Sequence, residues 1–290
     1  MKQNITLLIA FVTTVFASAQ ISYTGFIDKY PIELVTNIYS DGVGSAIYAY
    51  SNYDTPIDLD AKMVQKALTL IEKDKNGKQS AKFIFQNYNS KSADLSGIWK
   101  DNSGKELKIS LKKVFDLDEY KNRDFSGKEI LQSVSFKDKY FKLILTKEKN
   151  DFEAKVTGVK IIEKKTDKLI QQFDVDCQLL GVNSISIDDY NFDGIADFSV
   201  YEGGTAGPDS TSLYFLYDPK TSKYFESSFS GTSLEFDSKT KRIYEHNQCC
   251  AGRSFIKAEY KVVNNKMILL KQTCMEYDDK TGDYKKIKCN

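Results

Sequence analysis

The stretch that most constrains this chain is Asp189-Tyr190-Asn191-Phe192-Asp193-Gly194-Ile195-Ala196-Asp197, which reads D-x-N-x-D-G-x-x-D. Oxygen-bearing side chains at its first, third and fifth positions can point at one centre, and Gly194 permits the sharp turn that wraps the chain round it. The Ile195 carbonyl and the Asp197 carboxylate can then close the shell. An oxygen-only ligand set suits a hard cation, and the spacing predicts Ca2+. The twelfth position, where an EF-hand places a bidentate Glu, is Val200. Ile185 and Ile187 before the loop, and Phe198 and Val200 after it, alternate with other residues at strand periodicity. The loop is therefore expected to join two strands rather than two helices. Four carboxylates in ten residues (Asp188, Asp189, Asp193 and Asp197) repel one another unless a cation sits among them. Two plainer readings stand beside this one: an Asp/Asn/Gly turn without an ion, and an ion that only braces the loop.

Eighteen Tyr, eighteen Phe and only four Pro, set between Gly, Asn and Asp turns, predict an all-β chain. A first block, 20–115, carries candidate strands at Phe26 to Val35, Ser45 to Tyr50, Ala67 to Glu72, Ala81 to Gln86, Ser96 to Lys100 and Glu106 to Leu111. Asp41-Gly42, Asn76-Gly77 and Asn102-Ser103-Gly104 are its turn signals, Asn76-Gly77 being the clearest hairpin. Trp99, the only Trp, reads as a core residue in preference to a ligand-stacking platform. Residues 116–132 are charged and lack apolar periodicity, which predicts a linker. A second block, 133–290, carries the remaining strands, including Tyr140 to Leu145, Ala154 to Ile162, Asp197 to Tyr201, Phe255 to Val263 and Lys266 to Gln272. No segment shows the pattern of a long helix.

The first nineteen residues read as a signal peptide: Lys2, an apolar run from Ile5 to Phe16, and the small-residue site Ala17-Ser18-Ala19. No Cys stands at the cleavage point, so the product is expected to be periplasmic or secreted rather than a lipoprotein. No later run is long enough to span a membrane. Removing the leader takes one Lys and no acid from a chain with 41 basic and 40 acidic residues. That balance excludes nucleic acid as an expected partner. In an oxidising compartment the five cysteines predict disulfides. Cys274 and Cys289 flank the Lys280-Thr281-Gly282-Asp283 turn symmetrically, so a hairpin would set them opposite one another. Cys177 can then pair with Cys249 or Cys250, a bridge between those two neighbours being strained, and the odd count leaves one free thiol or an intermolecular bond.

Catalytic options are few. His246 is the only His, and no G-x-S-x-G is present. A Cys–His pair would need Cys249 or Cys250, which disulfides would consume. A pair of carboxylates for glycoside hydrolysis stays open, since acids are everywhere. Two segments read as binding surface. Tyr201-Glu202-Gly203-Gly204-Thr205-Ala206-Gly207-Pro208-Asp209-Ser210 is an exposed, shaped loop leaving the Asp189 loop's own strand, or a plain surface turn. No Lys-Ser/Thr follows its glycines, as a phosphate cradle would require. Tyr244 to Arg253 carries His246, which by default is structural, and Arg253, suited to binding a carboxylate.

Taken together, the alternating strand that enters the Asp189 to Asp197 loop, the Tyr201-Glu202 and Gly203-Gly204 that follow, and His246 some forty residues later resemble a known family. They are similar to the periplasmic immunity proteins that neutralise peptidoglycan-cleaving effectors of type IV secretion, and to bacterial inhibitors of invertebrate-type lysozyme. The likeness covers roughly the last 150 residues. It implies a β-sandwich or irregular barrel with bound calcium and no catalysis. It also implies that Tyr201, Glu202, Gly203, Gly204 and His246 lie at or near the surface that meets a lysozyme-like hydrolase. The vicinal Cys249-Cys250 and the N-terminal block are not part of that pattern. The alternative is an extracellular structural or carbohydrate-binding β protein.

Overall fold

A computed structural model describes residues 18–51, 53–117, 123–204 and 208–289. The expected leader lies outside the described residues except for Ser18 and Ala19, which open the first strand opposite Tyr39 and Ile38. The chain is all-β. The first eight strands are β1 (Ser18–Ile27), β2 (Tyr30–Tyr39), β3 (Val43–Tyr50), β4 (Ile57–Val64), β5 (Ala67–Lys73), β6 (Gln79–Phe85), β7 (Asp94–Asp101) and β8 (Glu106–Asp116). Each pairs antiparallel with the next, and β1 pairs with β8 to close a barrel. A Cβ at Gly25 would collide with the Ser110 carbonyl across that closing seam, so glycine is required there.

The barrel is filled by side chains, not open. Tyr23, Leu34, Tyr48, Leu70, Phe83, Phe85 and Ile109 lie inside it, each 2 % exposed or less. β4 shows the governing pattern: Leu59 and Ala61 point in, while Asp58, Asp60 and Lys62 point to solvent. Its alternating charges hid this strand from the sequence reading. The expected strand from Phe26 to Val35 is instead broken by a tight turn at Asp28, whose φ of 55° reverses the chain between β1 and β2. Turns elsewhere are built on aspartate. Asp74 accepts the N–H groups of Asn76 and Lys78, and Asp101 those of Ser103 and Lys105. Only Gly77 and Gly104 in those turns need positive φ.

Three open sheets follow. The first holds β9 (Phe125–Ser135), β10 (Lys139–Lys147), β11 (Lys155–Glu163) and β12 (Leu169–Gln178). Much of the expected linker is therefore strand, because Ile130 and Leu131 supply a buried apolar pair that the surrounding charges obscured. A short 3-10 turn, Gly181–Asn183, leads to the second sheet: β13 (Ile185–Asp188), β14 (Asp197–Gly204), β15 (Ser210–Asp218) and β16 (Lys223–Glu226). The third holds β17 (Glu235–Asp237), β18 (Arg242–Cys249), β19 (Ser254–Val263), β20 (Lys266–Asp278) and β21 (Asp283–Ile287).

The second sheet is the middle layer. On one face Phe198, Val200 and Phe215 meet Phe141, Leu143 and Val159 of the first sheet. On the other face Tyr190, Tyr214 and Leu216 meet Ile243, Phe236 and Tyr260 of the third. The outer wall of the barrel joins the first of these cores through Val35, Ile47, Ala49 and Phe115. Those residues alternate with the ones that fill the barrel, so β2 and β3 are buried on both faces and read as nearly continuous apolar runs.

Phe198 and Phe215 stack with centroids 4.7 Å apart, and Tyr224 meets Phe198 edge-on. Replacing Phe198 by Ala leaves a cavity where the layers meet. It is expected to cost about 3–5 kcal/mol in urea unfolding, and a loss under about 1 kcal/mol would contradict this packing.

Candidate functional site

The Asp189 loop joins β13 to β14, as the strand periodicity predicts, and its residues alternate in direction. Tyr190 and Phe192 are buried with Tyr214 and Phe236 in the core between the second and third sheets. The Tyr190 hydroxyl lies 2.8 Å from the Ser199 hydroxyl. Between these anchors, the side chains of Asp189, Asn191 and Asp193 turn back over the loop's own backbone. Asp193 N–H donates to Asp189 Oδ1 (3.0 Å) and Asn191 Oδ1 (3.1 Å), Gly194 N–H to Asp189 Oδ2 (2.8 Å), and Ile195 N–H to Asp193 Oδ1 (2.8 Å). Gly194 has φ 90°, the left-handed conformation expected of it.

Asp197 sits at the root of the loop and is fully buried. One of its oxygens accepts the Tyr190 N–H (3.0 Å), the other the Tyr217 N–H (2.8 Å). The carboxylate thus ties the start of the loop, the start of β14 and the end of β15 together. Burial pushes its pKa up to about 7; the two N–H donors oppose the rise, and the negative charges of Asp193 and Asp189 add to it. The loop is also held from the third sheet. Asn191 donates to Asn265 in the β19–β20 turn (3.0 Å), and Lys241 donates to the Phe192 carbonyl (3.2 Å). Sequence reasoning missed Tyr190, Phe192, Asn265 and Lys241 as parts of the site. The alternation Asp-Tyr-Asn-Phe-Asp was the available signal.

The donor set matches an oxygen-only cation site in kind. The side-chain oxygens of Asp189, Asn191 and Asp193 are fixed by backbone N–H groups, and each oxygen that accepts one such bond retains a lone pair. As the side chains stand, no three Asp, Glu, His or Cys residues among the described residues converge closely enough to hold a metal ion.

Downstream of the loop, Tyr201, Glu202 and Gly203 are half-buried on β14 and Gly204 is exposed at its end. Thr205, Ala206 and Gly207 lie outside the described residues. Gln178 of β12 accepts the Gly204 N–H, and a Cβ at Gly203 would press against that same side chain. Asp209, 5 % exposed, anchors the return leg: it accepts the Gln248 N–H of β18 (2.6 Å) and the Ser233 hydroxyl (3.0 Å). Asp209 is thereby tied to the end of the strand that carries His246. His246 itself is exposed, its ring 6.1 Å from that of Phe255. Gln178, which ties the end of β14 to β12, and Asp209, which reaches β18, were not singled out from sequence. Arg253 is not a free carboxylate binder. It makes a bidentate pair with Asp279 and lies over the Tyr277 ring.

The cysteines correct two expectations. Cys274 and Cys289 are bridged, yet the hairpin sets Cys274 opposite Ile287, and Cys289 lies two residues further on. A loop of that separation contributes about 3 kcal/mol by restricting the unfolded chain. Cys249 bonds to its neighbour Cys250, and Cys177 is a free, buried thiol. Cys177 faces the core between the first two sheets, remote in topology from the β18–β19 turn. Burial pushes its pKa up to about 12, with Glu202 and Asp176 adding to the rise, which disfavours the thiolate at neutral pH.

Elsewhere, Trp99 packs against the barrel core with its indole N–H buried and without a partner among the described residues. A polar cavity of about 70 Å³ lies where the barrel meets the first open sheet. Its carboxylates are engaged: Glu33 with Lys142 (2.7 Å), Asp167 with the Tyr140 hydroxyl (2.7 Å), and Asp54 with the Lys165 N–H (2.7 Å). No helix of the described residues is long and apolar enough to cross a membrane.

No protein-family model matches the chain, and no curated protein matches it significantly. Among solved structures, it is similar to a Xanthomonas type IV secretion system related protein, at 10% identity over 93% of this chain and 99% of that one, with a TM-score of 0.25. A Lactobacillus plantarum protein matches at 9% identity over 94% and 96% of the two chains, with a TM-score of 0.22. A porin-like protein from Bacteroides uniformis matches at 8% identity over 94% and 96%, with a TM-score of 0.20. At these scores none of the three bears on what the protein does.

Asp197→Ala would leave two buried N–H groups without an acceptor, at about 1–3 kcal/mol each. Urea unfolding is expected to show that loss, with Asp188→Ala on the exposed side of β13 as a near-neutral control.

Proposed function

We propose that this is a secreted or periplasmic binding protein, not an enzyme, that holds one calcium ion and meets a lysozyme-like peptidoglycan hydrolase. Asp189, Asn191, Asp193, the Ile195 carbonyl and Asp197 would hold the ion. The contact surface would be Tyr201, Glu202, Gly203 and Gly204 with His246. The observation that carries the calcium reading is the fixing of four oxygens on three alternate side chains, Asp189, Asn191 and Asp193, by the N–H groups of one turn, backed by the buried Tyr190 and Phe192. Oxygens held in this way lose little freedom when an ion binds. The ion in turn would stiffen the base of β14, the strand that carries Tyr201, Glu202, Gly203 and Gly204. Support for the hydrolase reading comes from the sequence resemblance and from Asp209, which is tied to the strand of His246. Two disulfides fit an oxidising compartment.

Calcium at one hundred times its dissociation constant is expected to add about 2.7 kcal/mol to stability. The melting temperature should rise with calcium, fall back with chelator, and not respond in Asp193→Ala. An identical melting curve in calcium and in excess chelator would overturn the calcium reading. For the partner, the purified protein is titrated in calcium against chicken-, goose- and invertebrate-type lysozymes and a bacterial effector hydrolase. Stoichiometric inhibition of one of them, lost in Tyr201→Ala and Glu202→Ala, is expected. Full activity of all four at excess protein would overturn the inhibitor reading while leaving the calcium result standing.

A further inference from the structure

We propose that the vicinal Cys249–Cys250 bond is a thiol–disulfide exchange site, opened by an external dithiol while the rest of the fold stays closed. Three observations carry this. First, the two disulfides differ in what they hold. Cys274–Cys289 joins β20 to the segment after β21, with Cys274 buried at 5 % exposure. Cys249–Cys250 joins neighbours and closes no chain loop, so it restricts the unfolded chain hardly at all. Opening it therefore threatens little of the global fold.

Second, both residues are exposed at the tip of the β18–β19 hairpin. Exchange needs a thiolate to reach a sulfur, and access is one of the factors that set its rate. Third, the turn that the bond closes is one that ordinary side chains avoid. Cys250 (φ 60°), Ala251 (φ 52°) and Gly252 (φ 83°) are successive left-handed residues, two of them not glycine. Two backbone hydrogen bonds hold them, Gly252 N–H to the Cys249 carbonyl and Arg253 N–H to the Cys250 carbonyl, both 3.1 Å. With the bond broken, Cys250 and Ala251 gain by returning to negative φ.

The exchange balances as two successive displacements. One thiolate of the dithiol bonds to one sulfur of the pair, the Cys249–Cys250 bond breaks, and the other cysteine leaves as a thiolate and takes a proton. The second thiol of the reductant then attacks its own sulfur in the mixed disulfide and releases the remaining cysteine. Two electrons and two protons pass to the protein, and the reductant leaves as a disulfide. The change is not confined to the tip. The residue before the pair, Gln248, gives its N–H to Asp209, which anchors the return leg of the Gly-rich segment. Opening the ring frees the end of β18 and loosens that anchor.

The test uses the full-length purified protein under native conditions, treated with graded dithiothreitol, quenched with acid and alkylated with N-ethylmaleimide for peptide mapping. Cys249 and Cys250 are expected to be alkylated together at a reductant concentration about tenfold lower than Cys274 and Cys289 require. Over that range the melting temperature holds, and amide exchange at Gln248 rises. The proposal is overturned if Cys274–Cys289 opens first or at the same concentration, or if the neighbouring pair is alkylated without reductant. A double variant, Cys249→Ser with Cys250→Ser, should fold, melt near the parent and show the faster Gln248 exchange without reductant. Failure of that variant to fold, or unchanged exchange at Gln248, also overturns it.

Discussion

Burial of the middle sheet on both faces is the constraint on which the rest of the chain depends. β14 and β15 carry apolar side chains in both directions, with Phe198, Val200 and Phe215 on one side and Tyr214 and Leu216 on the other. A sheet with no wet face must have every backbone group paired and both faces covered. The first open sheet and the barrel wall cover one face, and the β17–β21 sheet covers the other. The carboxyl group buried in this layer, Asp197, is tolerated because two N–H groups are aimed at it.

That arrangement explains why the Asp189 loop differs from the other aspartate turns in the protein. Asp74, Asp101, Asp237 and Asp278 each cap a solvent-facing hairpin through their own oxygens. The Asp189 loop repeats the device at three alternate positions, Asp189, Asn191 and Asp193. It also plants Tyr190 and Phe192 in a core and rests on the β19–β20 turn through Asn191 and Asn265. The first group of turns reverses the chain; the Asp189 loop joins two strands of the middle sheet and is also hydrogen-bonded to turns of the third.

The all-β class was legible from the alternation of aromatic and β-branched residues between polar turns, and so was the strand–loop–strand setting of the Asp189 loop. Where alternation carried charge on one face it was misread. β4 has Asp58, Asp60 and Lys62 outside and Leu59 and Ala61 inside, and the start of β9 has the charged composition of a linker. Charged outward positions are what a half-buried strand should show, but they lower the average hydropathy that draws the eye. The Cys274–Cys289 bridge was legible because a hairpin brings both ends together locally. The pairing of Cys249 was not, because whether Cys177 could reach it depended on how separate sheets pack.

The sequence by itself determined what is local: strand periodicity, the turns, the oxygen-bearing side chains of the loop, and the hairpin that joins Cys274 to Cys289. Only the tertiary structure decided which faces are covered twice, why Val35 and Ile47 are apolar outside the barrel, and how Asp209 is tied to the strand of His246. The physical reason is range. Periodicity and turn chemistry act over a few residues, whereas a side chain such as Asp197 acquires its partners, and its raised pKa, only when strands distant in sequence close over it.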